Sequence, residues 1–277
     1  MKWFRVSKEN PCTICNKIDW CTFLPEKNIA CCMRVPSGKH SRNDGYIHPL
    51  NGDCKQVYVK PEAPEQFIDC EYLMKKFSDD TRESDIESLA CKLGVSLESL
   101  KSIGCQRANA HKSFAFPMYD GFGEMVGIRL RKDNGGKFAI RGSHQGVFLA
   151  KDQPSKTTYI VEGVSDLAAL LTIGLFGFGR PSCSGCVDTI NGTLKRLRSK
   201  RVVIVSDSDE PGLRGADSLQ KSLSIPSTIY CPPCKDLRES ARSGMTKSLI
   251  ESTVSQLVWF HPKTTVGGTK LALGSEP

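Results

Sequence analysis

Two β-branched runs that end abruptly in carboxylates constrain this chain more than any other feature. Thr157, Thr158, Tyr159, Ile160 and Val161 run straight into Glu162 and Gly163, and about forty residues later Val202, Val203, Ile204 and Val205 run into Ser206, Asp207, Ser208 and Asp209. A short apolar run ending in acids is how a buried parallel strand delivers side chains to the active edge of an α/β sheet. Acids gathered at the ends of two central strands are costly unless a cation sits between them, and a divalent metal is the expected one.

The segments around these runs keep the same rhythm. Strands are expected at 157–161, 175–178, 201–206 and 227–230, with helices at 165–172, 188–198 and 212–223 between them. Strands separated by helices of this length imply a mostly parallel sheet covered on both faces. Asp236 follows the last strand and would add an outer carboxylate. Glu162, Asp207, Asp209 and Asp236 are therefore the expected ligands of Mg2+ or Mn2+, which take oxygen donors and keep waters or phosphate oxygens in their shell. Gly163 would let the backbone approach metal or substrate, and Asp166 would cap the following helix or orient a water. Taken alone, Asp209 could equally be no more than a helix cap.

Net charge is +8, and the excess is regional. Residues 1–60 hold ten Lys and Arg against five acids, and residues 107–141 hold seven against three. Such clustering suits a polyanion such as nucleic acid, although a basic face kept for solubility would look the same. In 127–131 the alternation puts Arg129 and Arg131 on one strand face, and Lys137 follows on the next strand pair. These three would hold the phosphates of a nucleotide or template; the alternative is a charged, solvent-facing edge.

Thirteen cysteines in a chain with room for its own core, and with no apolar leader or span, point to reduced thiols and metal sites rather than a disulfide framework. Neither export nor a membrane span is expected. Cys12, Cys15, Cys21 and one of Cys31 and Cys32 fall within about twenty residues, a supply of four soft ligands for tetrahedral Zn2+. Adjacent residues of a strand face opposite ways, so only one of the last pair should ligate; Cys32 is favoured, with His40 and His48 as weaker substitutes. Trp3, Phe4, Trp20 and Phe23 are interleaved with basic residues, which suits either base stacking or a minimal core. The pairs Cys183/Cys186 and Cys231/Cys234 have zinc spacing too, but buried or reactive thiols are the favoured reading. From Ser84 a helix stopped by Gly94 and a second one capped by Ser96 form a helical connector with a helix-turn-helix outline.

The run Val161, Glu162, Gly163 with Asp166, then Asp207 and Asp209, then Lys235 and Asp236, resembles the Toprim domain of bacterial-type primases, topoisomerases and several nucleases. The strip from Pro117 to Phe148 resembles the basic subdomain that precedes Toprim in bacterial and phage primases, and the cysteine block resembles their zinc ribbon. The resemblance covers most of residues 10–245 and implies an α/β primase: a zinc ribbon at 1–60, a linker and small helical segment at 61–110, a basic β-rich subdomain at 111–155, a mostly parallel, Rossmann-like Toprim sheet at 156–262 and a loose tail at 263–277. It implies Glu162 as metal ligand or general base, and Asp207 and Asp209 as metal ligands. The expected partners are a single-stranded DNA template and ribonucleoside triphosphates, in a cytoplasmic replication setting that includes phage or mobile elements. With no P-loop in the chain, unwinding would fall to a separate replicative helicase. A Toprim-type metal-dependent nuclease and a non-catalytic DNA-binding accessory are the alternatives.

Overall fold

The structure is a computed structural model of the 277-residue chain and describes residues 3–41, 45–50, 68–151, 156–182 and 185–262. The chain divides into two compact units, Met1–Glu65 and Gln66–Pro277. Residues 51–67, which include the start of the linker expected from 61, lie outside the described residues, as do Cys183 and the tail expected from 263.

The first unit is an antiparallel sheet of four short strands in sequential order: β1 (Phe4–Arg5), β2 (Thr22–Leu24), β3 (Ile29–Cys32) and β4 (Tyr46–Pro49). Pro25 and Asn28, the latter in the left-handed region at φ 52°, turn β2 back into β3. The buried centre is sulfur rather than hydrocarbon: Cys12, Cys21 and Cys32, edged by Val6, Ile14, Met33 and Val35. So few aliphatic groups supply little hydrophobic stabilisation, and a unit this small needs another source of it.

The second unit begins with three helices, α1 (Cys70–Asp80), α2 (Glu83–Leu93) and α3 (Leu97–Ser102). An antiparallel meander follows, β5 (Gln106–Ala108), β6 (Ser113–Tyr119), β7 (Met125–Lys132) and β8 (Lys137–Ala139), hydrogen-bonded in that order. The remainder alternates: β9 (Thr157–Glu162), α4 (Val164–Thr172), β10 (Gly177–Arg180), α5 (Val187–Arg196), β11 (Arg201–Val205), α6 (Glu210–Ser222), β12 (Ser227–Tyr230), α7 (Leu237–Arg242) and α8 (Lys247–Ser255). The strands of this part form a wholly parallel sheet in the order β10-β9-β11-β12. The two acid-bearing strands are its centre.

Alternation along β9 and β11 explains why both faces are covered. Tyr159, Val161, Val203 and Val205 join one core with α4, α7 and α8, while Ile160, Val202 and Ile204 join another with α5 and α6. A strand buried on both faces reads as an unbroken apolar run, which is what these two are. Ile86, Leu89 and Leu93 of α2 and Leu100 of α3 enter the first of these cores beside Leu167 and Leu170, and the Ser96 amide donates to Thr172 Oγ1 at 2.9 Å. The helix pair is thus a packed part of the sheet's cover, not only a connector.

Five elements depart from the sequence reading. The strand expected at 175–178 begins two residues later, because the Leu175 amide still bonds back to Leu170 O at 3.1 Å and Gly174 turns the chain at φ 79°. Gly177 then lies so close to Tyr159 that a Cβ would stand 1.8 Å from its carbonyl oxygen. Of the strand pair expected across 135–148, β8 alone forms a strand. Val147 and Phe148 instead make a seam: Val147 exchanges both backbone bonds with Tyr119, at 2.8 and 2.9 Å, and Phe148 both with Gly179, at 2.8 and 3.0 Å. This joins the meander to the parallel sheet. Helices α1, α7 and α8 are not among the elements expected from the sequence. No helix among the described residues is long and apolar enough to cross a membrane.

Phe148 is buried in the core beneath the seam. Phe148→Ala is expected to cost about 3 kcal/mol, measured by denaturant unfolding of the full chain.

Candidate active site and metal centre

Glu162 ends β9 and stands in register beside Arg180, the last residue of β10. Arg180 is 2% exposed; its Nη2 lies 3.6 Å from Glu162 Oε2, and its Nη1 donates to Gly215 O of α6 at 3.2 Å. Burial pushes the Glu162 carboxyl above its ordinary value, Arg180 opposes this and Asp209 adds to it. Asp207, half-buried just past β11, is pushed up to about 6 by burial and then by Glu162, Asp236 and Asp209. Four carboxylates thus act on one another at the carboxyl edge of the sheet. The Ser208 amide donates to Lys235 O at 2.9 Å, tying the loop of Asp207 and Asp209 to the loop of Asp236.

Two of the acids also have local work. Asp209 Oδ1 accepts from the Gly212 amide at 2.8 Å and caps α6; Asp236 Oδ1 accepts from the Glu239 amide at 2.7 Å and caps α7. Each cap uses one oxygen, and the other oxygen of Asp236, Oδ2, lies 3.6 Å from Arg238 Nη2. Asp166 does not cap its own helix. It is 6% exposed and accepts from the Arg238 amide of α7 at 3.1 Å, and burial followed by Asp236 pushes it up to about 7. Gly163 sits at φ 85° with open space around the site of a Cβ, so its requirement is the left-handed turn from strand to helix.

The meander brings positive charge to this edge. Arg131 is half-buried on β7, where burial and Arg238 weaken its charged form and Asp166 supports it. Lys137 of β8 acts on Glu162, and Arg129 faces the Cys186 thiol. Arg180 and Arg238 were not singled out in the sequence. Arg180 becomes meaningful only through the pairing of β10 with β9; Arg238 lay two residues from Asp236 and could have been found there.

In the first unit, the Sγ atoms of Cys12, Cys15, Cys21 and Cys32 all lie within 4.8 Å of one another. Cys15 and Cys21 are 3.7 Å apart, and Cys21 and Cys32 are 3.9 Å apart. Tetrahedral zinc with bonds of about 2.3 Å places its sulfurs about 3.8 Å apart, so the thiols fit that ion. The amides of Arg34 and Val35 donate to Cys32 Sγ at 3.4 and 3.3 Å, and that of Met33 to Cys21 Sγ at 3.4 Å. Burial works against ionising Cys15, but the Lys17 amide and the neighbouring thiols bring it down to about 7; burial, opposed by the Met33 amide and joined by Cys15 and Cys12, pushes Cys21 up to about 12. Among the described residues this is the one group of three or more metal donors so close together. A cation at the carboxylates would draw on water or phosphate oxygens as well.

Cys31 lies outside the cluster. His48 is engaged with Val35 O at 2.9 Å, and His40 packs on Tyr46. Trp20 is 75% exposed, which removes it from the core; Phe4 stacks on Phe23 instead, ring centres 5.7 Å apart. Cys186 meets Gln145 at 3.5 Å, and Cys234 meets Ser243 at 3.8 Å.

This arrangement is similar to solved primase structures. The primase fragment of the bacteriophage T7 primase-helicase protein aligns over 91% of this chain and 100% of its own at 15% identity and a TM-score of 0.52. The zinc-binding and RNA polymerase domains of the Aquifex aeolicus primase align over 68% of this chain and 60% of that one, at 14% identity and a TM-score of 0.56. The DnaG primase catalytic domain bound to single-stranded DNA aligns over 68% and 77%, at 14% and 0.54. No family model and no curated protein sequence matches the chain. The fold is therefore that of a primase catalytic core, and a four-thiol cluster accompanies it in the first unit.

Cys32→Ser is expected to abolish bound zinc and unfold the first unit, while Cys31→Ser retains one equivalent; elemental analysis and circular dichroism distinguish them. At the acids, the folded chain holds the Asp166 proton more tightly than the unfolded chain does. Metal-free stability therefore falls as pH rises from about 4 to about 7. Asp166→Asn keeps the acceptor for Arg238 and should raise the melting temperature at pH 8 by about 5 °C, flattening the decline from pH 5 in a thermal scan.

Proposed function

We propose that this protein is a DNA primase that makes short RNA primers on single-stranded DNA by metal-dependent nucleotidyl transfer, with the parallel sheet serving as a Toprim domain. The observation that carries the reading is the placing of Glu162 at the end of β9 and of Asp207 and Asp209 just past the adjacent parallel strand β11, with the Asp236 loop tied to theirs through the Ser208 amide and Lys235 O at 2.9 Å. Burial and neighbouring acids hold the Asp207 carboxyl above its ordinary value, so this edge is short of positive charge, and a divalent cation would supply it. When bound there, Mg2+ or Mn2+ would polarise the α-phosphate and favour the ionised 3′-hydroxyl that attacks it.

The chain's own groups would do the rest. Glu162 and Asp207 would hold the ion, with Asp209 and Asp236 as further ligands, and Glu162 could instead take the hydroxyl proton. Arg180 would keep Glu162 fixed from behind through its bond to Gly215. Arg129, Arg131 and Lys137 would grip triphosphate or template phosphates. In the first unit, Zn2+ held by Cys12, Cys15, Cys21 and Cys32 would shape a template reader from which exposed Trp20 could stack on a base. A separate replicative helicase would provide the template strand.

Extension of labelled ribonucleotides on random single-stranded templates tests the reading. The wild type is expected to yield short products only with Mg2+ or Mn2+, and Asp207→Asn to lose at least about 100-fold in rate, or about 2.7 kcal/mol of barrier. Full primer synthesis by Asp207→Asn would overturn it, and nicking of DNA without nucleotides would favour a Toprim nuclease.

A further inference from the structure

A cavity of about 470 Å3 in the second unit belongs to none of this chemistry. It lies where β9 and β11 begin, beside the paired residues Thr157 and Arg201, whereas Glu162 and Asp207 lie at the other ends of these strands, roughly 17 Å along six residues. Its lining carries Lys156, Arg201 and Lys247 against a single acid, Glu251. Glu251 is only loosely engaged with Lys247, at 3.9 Å on an exposed helix face, so the cavity keeps an excess of two positive charges (three cations less one acid).

The same lining is aromatic. Phe176 is 41% exposed beside the cavity, and Trp259 forms part of the wall with the Arg201 guanidinium 5.2 Å from its ring centre. Trp259 is held in place by its neighbours: Phe260 exchanges backbone bonds with Ser227 at 2.8 and 3.0 Å, and Val258 O accepts from Thr228 Oγ1 at 2.9 Å. Tyr159 and Val254, both buried, close it from the core side. A fixed aromatic wall and a cationic rim around a volume typical of small-ligand sites make a recognisable combination. A planar ring would stack while the rim neutralises a doubly charged group.

We propose that this cavity binds a nucleoside monophosphate, its base against Trp259 and Phe176 and its phosphate held by Arg201, Lys156 and Lys247. The proposal stands without the primase reading, since none of these residues belongs to the acidic edge. β9 and β11 run unbroken from the cavity to Glu162 and Asp207, so the bound nucleotide would sit at the far end of the two strands that carry the acids.

The chain has three tryptophans, Trp3, Trp20 and Trp259. The full-length Trp3→Phe/Trp20→Phe variant therefore reports on Trp259 alone. AMP and GMP titrated into it in EDTA should change its emission saturably, with half-saturation below about 1 mM. Adding Lys247→Ala or Arg201→Ala should weaken binding about tenfold, the scale of one charge-assisted contact, while Asp207→Asn leaves it unchanged. Both cation variants alter exposed residues, and circular dichroism checks their folding. The proposal is overturned by the absence of a saturable change, by equal binding in the Lys247 and Arg201 variants, or by loss of binding in Asp207→Asn, which would place the nucleotide at the acids. Inorganic phosphate binding as well as AMP would also overturn it, leaving a plain anion site.

Discussion

Unscreened negative charge at the end of a buried sheet is the constraint around which the second unit is built. A carboxylate that has lost water and gained like-charged neighbours is held above its ordinary pKa, as Asp207 and Asp166 are, and each raised value is a cost carried by the folded chain. The surrounding elements share that cost. Arg180 answers Glu162 from the next strand, Arg238 answers Asp166 and Asp236 from α7, and the caps of α6 and α7 each occupy one oxygen of an acid. None of these completes the neutralisation, and Asp207 and Asp166 stay above their ordinary values.

The first unit meets the opposite shortage. Its strands are two to four residues long, and its centre holds three cysteines where a larger domain would place leucines. Four thiols set at tetrahedral spacing turn that deficiency into a metal site, and amide donors aimed at Cys21 and Cys32 stabilise their charge. A metal joining four points of chain does there what hydrophobic burial does elsewhere.

Much of this was legible in the sequence, for physical reasons that differ from residue to residue. The acid-bearing strands could be read because strands buried on both faces leave continuous apolar runs, and Cys32 could be preferred to Cys31 because neighbouring strand residues face opposite ways. Arg180 could not be read, since its meaning depends on which strand lies beside β9. The late start of β10 was hidden by a helix ending that carries on through Leu175. The capping by Asp209 and Asp236 was half visible: a strand-end acid is a good cap, and the structure shows each accepting from the first turn of the helix that follows it. Trp20 was undecidable between core and surface until its exposure was known.

The seam of Val147 and Phe148 has a consequence for how such a chain can vary. Val147 packs into one core of the parallel sheet and Phe148 into the other, while their backbones are bonded to different sheets. Shifting the seam by one residue would exchange the two side chains between cores and slide the basic strands along the acids by about 3.3 Å. The seam therefore acts as an alignment key: the spacing between the meander's cations and the carboxylates is set through two residues that belong to neither group.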